Sequence, residues 1–249
     1  FIAYITAGDP SLDATEDFVL RLADAGADII ELGIPFSDPL ADGRVNQESA
    51  SRALAAGATP RKVLEMVARI RNRSEIPLMG YTYMNPVHAR GAERFMREAA
   101  VAGFDGLLLL DLPVEEAGPY LKSLKRYRLN HIALVTPTSP PDRIVRIAAA
   151  ATGFVYCVSR EGVTGTQQQL SPAALDLVRY TKSLTDLPVA LGFGIGTPSH
   201  ARSAARVADA VVVGSAIVNR LQESPSTAKG RQAAADWVAS LVRAVKGAA

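Results

Sequence analysis

Asp28-Ile-Ile-Glu-Leu-Gly-Ile-Pro35 is the stretch on which the reading of the fold turns. A strand alternates its side chains between two faces, so Ile30, Leu32 and Ile34 share one face while Ile29, Glu31 and Gly33 share the other. In so apolar a run, Glu31 points into the interior. Burying an ionised carboxylate costs several kcal/mol, so such a glutamate is either paired with a base or held at a raised pKa that suits a general acid. Gly33 favours the second reading, because it leaves space where a side chain would fill the core. Asp42 supplies a second carboxylate as it closes the loop Pro35-Phe-Ser-Asp-Pro-Leu-Ala-Asp-Gly43.

Outward from this segment, apolar runs of strand length recur at Phe1 to Thr6, Pro77 to Tyr83, Gly106 to Leu112, His131 to Thr136, Phe154 to Ser159, Val189 to Gly194 and Ala210 to Ser215. Between them lie stretches of helical periodicity: Asp13 to Ala25, Arg61 to Arg71, Ala92 to Ala102, Glu115 to Tyr127, Pro141 to Ala151, Pro172 to Ser183 and Ser199 to Val207. Strict alternation of this kind predicts a parallel sheet with crossover helices. No unit is left over and no GxGxxG follows the first strand, so the expected fold is a single (β/α)8 TIM barrel rather than an open sheet. With no dividing linker, residues 1–249 read as one domain. Gln232 to Val245 is expected to form a helix over the barrel wall, with Trp237 in a packing role. The chain opens on Phe1 without an initiating Met, which reads as a trimmed N-terminus and leaves room for a missing helix or targeting peptide.

Composition narrows the function by exclusion. The net charge is +2 and no basic run is interleaved with aromatics, which argues against nucleic-acid binding. No apolar run approaches the ~20 residues of a membrane span, and a cytoplasmic protein is expected. The single cysteine, Cys157, reads as a small core residue. His88, His131 and His200 show no metal-ligand spacing, so no metal is assigned, and each is expected on the surface or in a loop.

In such barrels the loops after the strands' C-terminal ends build the active site. The residues to inspect are Thr6-Ala-Gly-Asp-Pro10, Glu31 with its loop, Asp111, and Ser159-Arg-Glu-Gly-Val-Thr-Gly165. Three late connections are rich in glycine: Gly162-Val-Thr-Gly165, Gly192-Phe-Gly-Ile-Gly196 and Gly214-Ser215. Glycine lets backbone N–H groups approach an anion, and Ser215 opens an expected short helix, Ala216 to Leu221, whose N-terminus favours negative charge. Each motif is weak alone; at three successive barrel connections they predict a phosphate cradle.

These motifs, taken with Ile5-Thr-Ala-Gly-Asp-Pro10, Glu31 to Gly43, Asp111-Leu-Pro-Val-Glu-Glu116 and Gly214-Ser-Ala-Ile217, resemble the tryptophan synthase alpha chain family. That family cleaves indole-3-glycerol phosphate into indole and glyceraldehyde 3-phosphate. The resemblance spans nearly the whole chain, and the strand-two motif is its most specific part. It implies Glu31 as the catalytic acid/base and Asp42 as its partner carboxylate. It further implies Tyr4, Tyr81, Tyr156, Thr164 and Phe193 around the substrate, and Gly165, Gly194, Gly214 and Ser215 around its phosphate. No cofactor is implied for this chain; pyridoxal phosphate is expected only in a beta-chain partner, in an alpha2beta2 assembly.

The sequence departs from the family at Arg44-Val-Asn-Gln47, where Pro-Thr/Val-Ile-Gln is usual, at Gly80-Tyr81, where Leu-Met is usual, and at Tyr4, where Phe is usual. The change to Arg44 frees φ beside the loop, and Gly80, Tyr81 and Tyr4 are expected to reshape the indole pocket. Three other readings remain at this point: a stand-alone indole-3-glycerol phosphate lyase, a related barrel such as an isomerase of another phosphorylated substrate, against which Glu31 and its intact loop argue, and a catalytically weak chain that docks on and regulates a beta chain.

Overall fold

The computed structural model describes residues 1–158, 171–192, 194–224 and 227–248. Eight parallel strands close into a barrel in sequence order. They are β1 (Ile2–Thr6), β2 (Ile29–Gly33), β3 (Leu78–Thr82), β4 (Gly106–Leu109), β5 (Asn130–Val135), β6 (Val155–Val158), β7 (Val189–Gly192) and β8 (Ala210–Val213). The ring closes where Ile2 and Ala3 of β1 register with Val212 and Val213 of β8. All eight apolar runs become strands; β2 to β5 and β8 end short of their runs, β1 keeps the expected end at Thr6, and β5 begins one residue early, at Asn130.

Alternation along the strands separates two cores. Ala3, Ile5, Ile30, Leu32, Leu107 and Val211 face the helix layer. Ile2, Met79, Leu108, Ile132, Tyr156 and Val212 fill the barrel interior. Glu31 lies on the inward parity of β2, between Tyr4 of β1 and Met79 of β3.

The helices around the barrel are α1 (Leu12–Asp24), α2 (Arg44–Ala55), α3 (Pro60–Arg71), α4 (Met84–Arg90), α5 (Ala92–Ala102), α6 (Gly118–Arg126), α7 (Pro141–Ala150), α8 (Pro172–Lys182), α9 (Pro198–Ala205), α10 (Ser215–Glu223) and α11 (Ala228–Lys246). Several start at the side-chain caps their sequences offer: Ser11 accepts from Ala14 N, Thr59 from Lys62 N, and Thr197 from His200 N. The C-terminal helix α11 packs on α1 and α9, with Trp237 at the edge of the core.

Two helices have no counterpart in the apolar pattern. On α2 the buried residues are Ser49, Ala50 and Ala53, so its inner face carries no large apolar side chain to reveal a period. The short α4 contains Pro86, which falls in the first turn, where a missing N–H breaks no helical bond. A residue from another connection supports its start: Asp111 accepts from Met84 N at 2.7 Å. The expected helix from Glu115 is shorter than its pattern, since Pro113 to Glu116 form a turn closed by Glu116 N on Pro113 O before α6 begins.

Cys157 is buried beside the Thr181 hydroxyl at 3.4 Å, and burial raises its thiol pKa to about 11. His131, expected on the surface, is instead a buried residue of β5 whose Nδ1 lies 3.0 Å from Ala150 O. Desolvation lowers its pKa, so it sits there as a neutral ring.

Candidate active site

Glu31 is 1% exposed, and its Oε1 has no hydrogen-bond partner among the described residues. None of the ion pairs among those residues involves it, which removes the reading of a structural glutamate paired with a base there. Burial, and then the charge of Asp42, raise its pKa from an ordinary 4.5 to about 8. At neutral pH the protonated acid therefore dominates, and a small change in surroundings suffices to release the proton.

The space above Gly33 is not empty. A Cβ placed on Gly33 would lie 2.5 Å from the Tyr4 hydroxyl, so the glycine exists to admit the phenol of β1 beside Glu31. Gly192 does the same for Tyr156, whose ring occupies the position a β7 side chain would need. Tyr4 packs edge-to-face on Tyr81, with ring centroids 5.1 Å apart. Gly80, by contrast, does not reach the pocket. It faces the helix layer, and a Cβ there would meet Leu107 Cδ2 at 2.7 Å, which corrects the expectation that it reshapes the pocket.

Asp42 is turned inward from a loop whose neighbours Ala41 and Gly43 are exposed. Tyr81 Oη donates to its Oδ1 at 2.7 Å, and Tyr83 Oη donates to its Oδ2 at 2.8 Å. Tyr83 also accepts from Ala41 N and packs on Phe36. Gln47 Nε2 donates to the Asp42 carbonyl at 2.8 Å, so side chain and backbone are both held. Desolvation raises the Asp42 pKa, and hydrogen bonds from Tyr81, Tyr83 and Asn46 oppose that rise. Burial pushes the phenols of Tyr4, Tyr81 and Tyr156 well above their ordinary range, so all three remain protonated.

Over residues 1–248 the sequence fits the family model described as tryptophan synthase alpha chain. The chain belongs to the tryptophan synthase alpha chain family. It is 47% identical to the tryptophan synthase alpha chain of Opitutus terrae over 248 residues, which cover 98% of this chain and 93% of that one. Its fold matches tryptophan synthase subunit alpha from Legionella pneumophila with a TM-score of 0.91 at 37% identity, covering 99% of this chain and 92% of that one. It also matches a chain of the tryptophan synthase complex from Pyrococcus furiosus, with a TM-score of 0.87, 38% identity, and coverage of 99% and 97%. Its function is that of a tryptophan synthase alpha chain.

Seen as an alpha chain, the molecule brings Glu31, Asp42, Tyr4, Tyr81 and Tyr156 into one electrostatically coupled group at the barrel interior. Gly214 joins them, since a Cβ there would lie 3.2 Å from Tyr4 Cδ1. It is the N-cap of α10, which has no side-chain cap among the described residues, and the first N–H groups of such a helix suit an anion. Ser215 is the first residue of that helix, and Gly194 adopts a φ of 73° in the neighbouring connection. Thr164, Gly165 and Phe193 lie outside the described residues.

A cavity of about 520 Å³ opens at β4 and β5, lined by Leu110, Ile132 and Leu134 and also by Asp111 and Arg143. Glu31 and Asp42 are not among its lining residues, so the cavity does not mark the acid/base centre. Sequence reasoning missed Tyr83 and Gln47. Tyr83 is legible in hindsight, because it continues the inward parity of Met79 and Tyr81.

Proposed function

We propose that this chain cleaves indole-3-glycerol phosphate to indole and glyceraldehyde 3-phosphate, as a carbon–carbon lyase of tryptophan biosynthesis. The observation that carries the proposal is Glu31, a buried carboxyl with a pKa of about 8 whose Oε1 has no hydrogen-bond partner among the described residues, set beside a second carboxylate held by two phenols. In the reaction the bond between indole C3 and the glycerol chain breaks. Glu31 gives its proton to C3, and its carboxylate then takes the proton of the adjacent glycerol hydroxyl, which becomes the aldehyde carbonyl. Asp42 accepts from the indole N–H and stabilises the positive charge that develops as C3 is protonated. Tyr4, Tyr81 and Tyr156 form the aromatic walls with Phe193, Thr164 closes the site, and Gly165, Gly194, Gly214 and Ser215 hold the phosphate. Gly214, so near Tyr4 that an added Cβ would lie 3.2 Å from its ring, supports a single substrate that reaches from the acid to the anion site.

A beta chain completes the enzyme in this reading, in an alpha2beta2 assembly of the cytoplasm, and pyridoxal phosphate belongs to that partner alone. The loop carrying Asp42 supports docking there, since its Leu40 is 81% exposed, an apolar group with no cover. The test is to supply the purified chain with indole-3-glycerol phosphate, with and without a matched beta chain. Indole and glyceraldehyde 3-phosphate should appear in equal amounts, faster with the partner. Absence of both products would overturn the proposal, and binding to the beta chain without turnover would mark a regulatory chain instead.

A further inference from the structure

Asp42 presents a mechanical problem. Its loop is solvent-facing, with Ser37, Asp38, Leu40, Ala41 and Gly43 all exposed, and a carboxylate on such a segment gains most by turning to water. Its oxygens instead point inward, each to a different phenol of the β3 edge. Tyr81 and Tyr83 are two residues apart, so the strand pleat places both on one face and sets the spacing of the two donors. They are not equivalent. Tyr83 is tied to the loop itself, because it also accepts from Ala41 N and packs on Phe36. Tyr81 is fixed by the barrel itself, edge-to-face against Tyr4, which is in turn seated over Gly33.

We propose that Tyr81 is a positioning residue, whose hydroxyl fixes the Asp42 carboxylate at the barrel mouth in the orientation that receives the substrate's ring N–H. This rests on the reading of Asp42 given above. A carboxylate offers about four acceptor sites, so the two phenols leave capacity for a third donor. The groups that face Asp42 are Glu31 from β2, Tyr4 from β1, Tyr81 and Tyr83 from β3 and its continuation, Tyr156 from β6, and the Asn46 amide from α2. None of these brings positive charge. Among the described residues, the phenol protons and the amide are therefore what favour the anion against burial, and the Tyr81 bond acts in that direction.

The test is Tyr81→Phe, which keeps the ring and its packing on Tyr4. For cleavage of indole-3-glycerol phosphate, kcat should fall about ten- to a hundredfold, as expected for losing a hydrogen bond to a charged group, with KM changed far less. The acidic limb of the kcat profile should move to higher pH. In the ligand-free protein, the Asp42 carboxyl titration followed by carbon-13 NMR should move the same way. An unchanged titration together with an unchanged acidic limb would overturn the proposal and leave Tyr81 as pocket wall only. If the wild-type chain released no indole, the proposed reaction would fail, yet the ligand-free titration would still decide whether Tyr81 holds Asp42.

Discussion

Replacing Glu31 with Gln should make this protein more stable as it disables it, and the stability gain should depend on pH in a defined way. In the folded chain the carboxyl has a pKa of about 8, against an ordinary 4.5. Below pH 4.5 the side chain is protonated in both folded and unfolded states, and its contribution to stability is fully present. As pH rises from there the unfolded chain releases the proton while the folded chain keeps it, so folding is progressively disfavoured until the folded carboxyl also ionises near pH 8. The window spans about 3.5 pH units, and at ~1.4 kcal/mol for each it amounts to an upper bound of about 5 kcal/mol. The bound is not fully reached, because part of the shift comes from Asp42, whose own titration is coupled to it. Gln keeps the shape and cannot ionise, so it escapes the loss. Urea unfolding of the two proteins, followed by the fluorescence of Trp237 and by far-ultraviolet circular dichroism, measures the difference at each pH. The curves should nearly coincide at pH 4.5 and separate by several kcal/mol at pH 8.5, with the Gln variant the more stable. A gap that stays constant across the range would refute the reasoning, since it would mean that Glu31 titrates alike in both states.

Three further outcomes follow from the same geometry. Asp42→Asn should lower turnover more than it weakens the binding of glycerol phosphate, which lacks the indole; equal weakening, read by calorimetry, would instead give Asp42 a loop-folding role. Gly214→Leu should abolish anion binding, since even a Cβ there meets the Tyr4 ring at 3.2 Å, whereas Ser215→Ala should remove only one hydrogen bond, on the order of 1–3 kcal/mol in phosphate affinity. Arg44 is the exposed first residue of α2, paired with Glu48 at 2.7 Å, a position that suits proline, so Arg44→Pro should keep the fold and strengthen binding to a beta chain from an unrelated source. Equal affinities in a calorimetric titration would remove Arg44 from the docking surface.

The barrel was legible because each strand announces itself as an apolar run, and parallel strands buried on both faces need little else. Glu31 was legible for the opposite reason, as a charge where the alternation allows none. What escaped were features set across the barrel rather than along the chain. Gly33 reads as a void from β2 alone, and only the register with β1 shows Tyr4 filling it. Gly80 sits next to Tyr81 in sequence yet faces the other way, so adjacency misled where parity would have decided. The helix α2 hid because small residues pack as closely as large ones without marking a period. Asp9 illustrates the same limit: its carboxylate accepts from Arg52 and Ser49 of α2, a pairing across some forty residues that no local pattern contains.

The most direct test of Glu31 as the proton shuttle is the turnover of indole-3-glycerol phosphate by the Glu31→Gln chain, measured beside its affinity for glycerol phosphate. Indole release should fall by roughly 10²- to 10⁴-fold, the span typical of general acid/base catalysis, while glycerol phosphate binds as it does to the wild type. Near-normal indole release by the Gln variant would contradict the assignment outright, because that side chain has no proton to give to C3 and no carboxylate to receive one.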